Sequence, residues 1–179
     1  MTEPASEFRL WLLHLVPAHR FGIVLSALLI LTALLGWFWA AGILFGEDSS
    51  ASGAALFFAV ILAYIVPVFA YITQRTQRAF DELTPYLSAD ADRIRSWRGS
   101  IDHKSLRWVV RNLCLGTAAW IVHNALLFNA QRGSGTLHGA AWFAVLTAPG
   151  LVWIVMTCAI EALIDNARLF KSLAKHVRI

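Results

Sequence analysis

Four apolar stretches, at roughly 22–45, 53–72, 107–128 and 139–160, dominate this 179-residue chain, and each is long enough to choose its own solvent. A hydrocarbon core of about 30 Å is crossed by about 20 helical residues. Each stretch reaches that length with few or no charges inside it. Charged residues make up 15 % of the chain, against about 25 % in ordinary soluble domains, and mean hydropathy is +0.61. Lipid rather than water is the expected surroundings. The expected fold is all-α: a polytopic membrane protein with four transmembrane helices arranged as two hairpins.

The Lys and Arg residues orient those helices. Of the 15, 14 fall in the N-terminal arm, in the 73–106 connection with its flanking helix ends, and in the C-terminal tail, whereas the other two connections hold only Arg132. Basic residues mark the cytoplasmic side. Both termini and the middle connection are therefore expected in the cytoplasm, and the chain in the plasma (bacterial inner) membrane. A net charge of +4 and a pI near 9.5 would point to nucleic acid in a soluble protein. Here the cations sit at the ends of spans, where they meet anionic headgroups, so membrane lipid is the expected partner and nucleic acid is not. The apolar run from Phe21 to Phe45 exceeds a signal-peptide core of about 7–15 residues, which predicts an uncleaved anchor.

The pattern divides a single domain, 1–179, into six helical elements. Residues 6–16, opened by Ser6 and closed by Pro17, read as an amphipathic helix at the cytoplasmic interface, with Trp11 and Arg9 as anchors. Long helices are expected over 22–45, 53–84, 105–128 and 139–178, with Pro67 and Pro149 as kinks, and a short cytoplasmic helix over 88–98 is capped by Ser88. The second and fourth long helices continue into the cytoplasm, because apolar stripes persist past the membrane. One runs through Phe69, Ile72, Thr76, Ala79, Phe80 and Leu83, the other through Ile160, Leu163, Ile164, Ala167 and Phe170. Those stripes must pair with each other or with neighbouring subunits. A weak echo, Gly53-Ala54-Ala55 through Ala59-Val60 against Gly139-Ala140-Ala141 through Ala144-Val145, suits two related hairpins.

Candidate functional residues are sparse. His123 and Asn124 form the most polar pair inside a span; a hydrogen bond between helices near the outer surface is one reading, a polar lining of an outer vestibule the other. Haem needs a second histidine at matching depth, and His14, His19, His103, His138 and His176 all lie near or beyond the membrane surfaces, so no cofactor is expected. Glu161 and Asp165, four apart, share one helix face where the last span ends. A salt-bridge network with Arg75, Arg78 and Arg168 is weighed there against an ion site. Together with Pro67 and Pro149, these four polar residues are the candidates for a pore or its gate. Cys114 and Cys158 belong to no ligand motif. Neither hydrolase nor nucleotide signatures occur, which leaves a lipid-directed enzyme using Glu161, Asp165 and His103 without positive support. The stretch Trp97-Arg98-Gly99-Ser100-Ile101, with Lys104 beyond it, resembles the segment preceding the first membrane helix of bestrophin-type anion channels. Here it precedes the third apolar stretch, and the resemblance carries over no pore residue.

Four apolar helices in one protomer leave no obvious aqueous path, whereas small residues such as Gly22, Ser26, Ala33, Gly36, Ala40 and Gly116 permit close packing between helices and copies. The expected function is a homo-oligomeric channel or small transporter with an axis lined by a long helix. The alternative is a non-conducting membrane-anchored scaffold that docks a cytoplasmic protein partner.

Overall fold

The computed structural model describes residues 7–17, 21–44, 49–130 and 139–176. It is 87 % helical and built on α1 (Gly22–Ala40), α2 (Ser49–Leu83), α3 (Ala91–Ser100), α4 (Leu106–Ala130) and α5 (Gly139–Leu173). Two three-residue strands, β1 (Glu7–Arg9) and β2 (His103–Ser105), form the only sheet among the described residues. The chain is all-α. Among the described residues, three helices are long and apolar enough to cross a membrane: Gly22–Ala40, Ala51–Tyr86 and Leu146–His176. Helix α4 is not among them and carries Arg107, Arg111, Asn112, His123 and Asn124. Ser6, Arg132, His138 and the polar turn at 131–135 lie outside the described residues.

Helix α1 packs on α2, α2 on α5, and α5 on α4, which makes a row rather than a closed bundle. Small side chains bring the middle of the row together. Ala51, Ala55 and Ala59 of α2 are buried with Ala144 and Ala148 of α5. A spacing of four places the α2 alanines on one face, and the missing side chains let the backbones approach. Ala59 and Ala144, counterparts in the internal echo, thus share one core. Phe38 and Ile43 complete it from α1. The N–H of Ile43 bonds the Phe38 carbonyl at 3.0 Å, that of Gly42 bonds Trp39 at 2.9 Å, and Gly42 takes φ 74°. This is a Schellman stop, with its apolar contact between Phe38 and Ile43, and it ends α1 at Ala40 instead of the expected 45.

Farther along α2 the buried face changes to Leu62, Val66 and Phe69. The N-terminal arm enters the core at that level: Leu10, Leu12, Leu13 and Val16 pack with those residues and with Val152, Val155, Ala159 and Ala162 of α5. The expected interfacial helix over 6–16 is therefore corrected. Residues 7–9 are strand β1, antiparallel to β2 with Arg9 opposite His103, and Trp11–Leu15 is a 3-10 turn. Burying four apolar side chains so close in sequence needs walls on more than one side, which helices supply and a membrane surface does not. The arm then doubles back so tightly that a Cβ on Gly22 would overlap the Pro17 carbonyl oxygen.

A third core closes the far ends of α2 and α5. Phe80, Ile101, Leu87 and Leu173 are buried there, with Ile94 and Trp97 of α3 against them. Arg98 bonds Asp81 at 2.7 Å, and the Ser88 N–H bonds the His176 carbonyl at 2.9 Å. Ser88 is thus not the cap of α3; Asp90 precedes that helix, which runs on through Gly99 to Ser100. The stripe expected on α5 holds only in part. Leu163 and Phe170 pack against the cores, but Ile160, Ile164 and Ala167 are exposed, while Ala159, Ala162, Asn166 and Leu173 are buried.

Candidate functional site

Helices α4 and α5 run antiparallel, and polar groups cluster where α4 begins. Contacts climb one helix as they descend the other: Trp108 with Asp165, Arg111 with Glu161, Asn112 with Thr157, Gly116 with Ile154, Trp120 with Leu146. At the first level, strand pairing with β1 holds β2 in place, and Lys104 at its centre is buried. The ammonium donates to the Ser100 carbonyl at 3.0 Å and to Asp165 Oδ2 at 3.4 Å. The Trp108 indole N–H donates to the same Oδ2 at 2.9 Å, while Lys104 Nζ lies 5.6 Å from the Trp108 ring centre. Arg168 approaches Oδ1 at 3.7 Å. Glu161 is held separately by Arg111 at 2.8 Å.

The Lys104 ammonium, the Trp108 N–H and Arg168 thus converge on Asp165, which is the countercharge of the buried lysine. Glu161 and Asp165 are each paired with a basic side chain from α4 or the strand before it. Of the expected partners only Arg168 reaches them; Arg75 bonds Tyr71 on its own helix instead. Lys104, Trp108 and Arg111 were missed as partners. Part of their signal was present in the sequence: Trp108 and Arg111 stand three apart at the start of α4, while Glu161 and Asp165 stand four apart on α5; Lys104 comes from β2, just before that helix.

One turn deeper, Asn112 is fully buried, donating to the Trp108 carbonyl at 3.0 Å while its Oδ1 has no partner among the described residues. Next the two helices approach closely: a Cβ on Gly116 would stand 2.7 Å from Ile154 Cα. Pro149, inside α5, cannot donate to the carbonyl one turn back. The neighbouring Leu146 carbonyl accepts the Trp120 indole N–H at 2.8 Å, and Gly150 lets that ring lie within 3.3 Å of its would-be Cβ.

His123 lies about 18 Å along α4 from Arg111. Its ring stands edge-on to Phe58 of α2 at 6.5 Å and to Trp153 of α5 at 6.1 Å, and its buried Nε2 has no partner among the described residues. Asn124 donates back to the Trp120 carbonyl at 2.9 Å. Pro67 is buried in α2 at the level of the arm. The six candidates thus occupy separate levels. Glu161 and Asp165 are brought together with each other but not with His123, Asn124 or either proline. Asp102 and His103 form a further pair at 2.8 Å. Among the described residues, no group of three or more His, Cys, Asp or Glu side chains is placed to hold a metal ion. No known protein family, characterised protein or solved structure matches the chain.

Proposed function

We propose that this chain is the protomer of a homo-oligomeric membrane channel or small transporter. In this reading α4 is the fourth span beside α1, α2 and α5, the helices cross as two hairpins, and both termini with the α3 region face the cytoplasm, on the side richest in Lys and Arg. The observation that carries it is the open row of helices. Only 11 % of the apolar window of α1 is buried, against 44 % in α2 and in α5, and α4 has its single extensive contact with α5. The bare side of α1 presents Ala33, Gly36 and Ala40, small residues against which a neighbouring copy can pack closely.

The protomer itself is closed by three apolar cores, so conduction needs an axis between copies. Helix α2 supports that role best. Its free face carries Phe57, Val60, Tyr64 and Tyr71 along one side and then Arg75 and Arg78, an apolar and aromatic constriction of the kind that gates by dewetting, followed by a charged inner mouth. Purified protein in liposomes should pass ions in flux or single-channel recordings, and particles imaged in detergent should hold several copies around an opening. Silent bilayers together with single-copy particles would reject the proposal.

The scaffold reading draws on one observation, the exposed acidic and basic face of α3, where Asp92 and Arg95 pair with each other at 2.8 Å. The third core covers Phe80 and packs Phe170 from those stripes, while Ile160, Ile164 and Ala167 stay exposed.

A further inference from the structure

We propose that residues 10–16 are a detachable plug, which in its seated state closes the groove between α2 and α5 and covers Cys158. The seat is apolar on both walls, with Leu62, Val66 and Phe69 on one side and Val155 and Ala159 on the other. Cys158 is wholly buried in it, in the same core as the side chains of the arm. The groove exists because the α2 face widens from alanine to leucine, valine and phenylalanine at this level, and the side chains of the arm occupy the difference.

The plug is fastened lightly for a segment so buried. Its backbone ties are a three-residue ladder to β2, the Leu10 N–H on the Asp102 carbonyl at 2.8 Å, and two bonds internal to the turn. In water, exposing four buried aliphatic side chains would be costly. At the edge of a bilayer the freed leucines can enter the acyl layer while water reaches the opened seat, so release forfeits packing, a few polar bonds and the wetting of the seat, not the whole hydrophobic term. Both backbone ties end on residues 102–105, beside the Lys104–Asp165 pair. A shift at the start of α4 therefore pulls directly on the plug.

The inference uses the cytoplasmic placement of the arm proposed above but not conduction, and the test separates them. With Cys114→Ser removing the exposed thiol, the full-length chain in sealed membrane vesicles of either orientation is treated with a membrane-impermeant maleimide, and the rate at Cys158 is followed by mass spectrometry. A Cys114→Ser, Cys158→Ala, Ala148→Cys chain reports on the alanine core, which the plug does not touch. Cys158 should react faster than the thiol at 148, and Leu12→Ala with Leu13→Ala should speed it about tenfold or more without changing the rate at 148. Equal protection at both positions, or both rising together in the variant, would overturn the plug and make the arm part of one indivisible core. Faster labelling restricted to the face away from the termini would instead retain the plug and overturn the topology.

Discussion

Single residues set the closeness of the α4–α5 contact and its charge balance. Gly116 is a glycine because of Ile154: the methyl of Gly116→Ala would stand 2.7 Å from a backbone atom, and a helix must move to admit it. We expect that variant to lose about 1–3 kcal/mol, read as a lower melting midpoint in detergent by tryptophan fluorescence. Gly99→Ala, with nothing within 4 Å of its Cβ, should not lower the midpoint. The Lys104–Asp165 pair makes a sharper test. Asp165→Asn leaves a buried ammonium without its countercharge and should cost about 2 kcal/mol, less than a fully enclosed pair because the carboxylate is 30 % exposed. Adding Lys104→Met should recover most of that loss, since replacing both partners removes the charge that needed an answer. A double-mutant cycle in thermal melts that shows simple additivity would remove the network from the account.

At the scale of elements, the chain's turns and ends follow rules that were in plain view but were outranked by hydrophobicity. Gly42 stops α1 although apolar residues continue through Phe45, because a left-handed residue followed by Ile43 satisfies the last carbonyls and folds an apolar side chain back onto Phe38. Gly42→Ala should cost about 1 kcal/mol through its φ of 74°, in the same melting assay. Gly53→Ala, in a helix with nothing within 4 Å of its Cβ, should be neutral or stabilising. The arm shows the opposite case. Nothing in Leu10 through Val16 distinguishes a helix lying on lipid from a turn wedged between helices, because both ask for apolar residues near a Trp and an Arg. The choice rests on whether a groove is waiting. The phase of α5 was legible only in part for a related reason: Leu163 and Phe170 pack inward, but Asn166 lies on the buried face while Ile160 and Ile164 face outward, because the surfaces that α5 meets, not its own apolar count, choose the face.

For the molecule as a whole, the topology makes the most exposed commitment: tags at Met1, in α3 near Ser96 and at Ile179 should all report the cytoplasm, and any one reporting the other side would dismantle the two-hairpin arrangement. The all-α class and the presence of long apolar helices were legible in the sequence, because length and composition are carried by each segment alone. The charges at the ends of helices were equally legible as charges. Which of them would meet was not, since Lys104 and Arg111 find Asp165 and Glu161, 61 and 50 residues away, through the antiparallel register of two helices. Solvent preference is a property each segment carries by itself, and so it can be read residue by residue. The order of helices in the row, the groove between α2 and α5, and the arm that fills it are properties of pairs of surfaces, and packing decides those only when the surfaces meet.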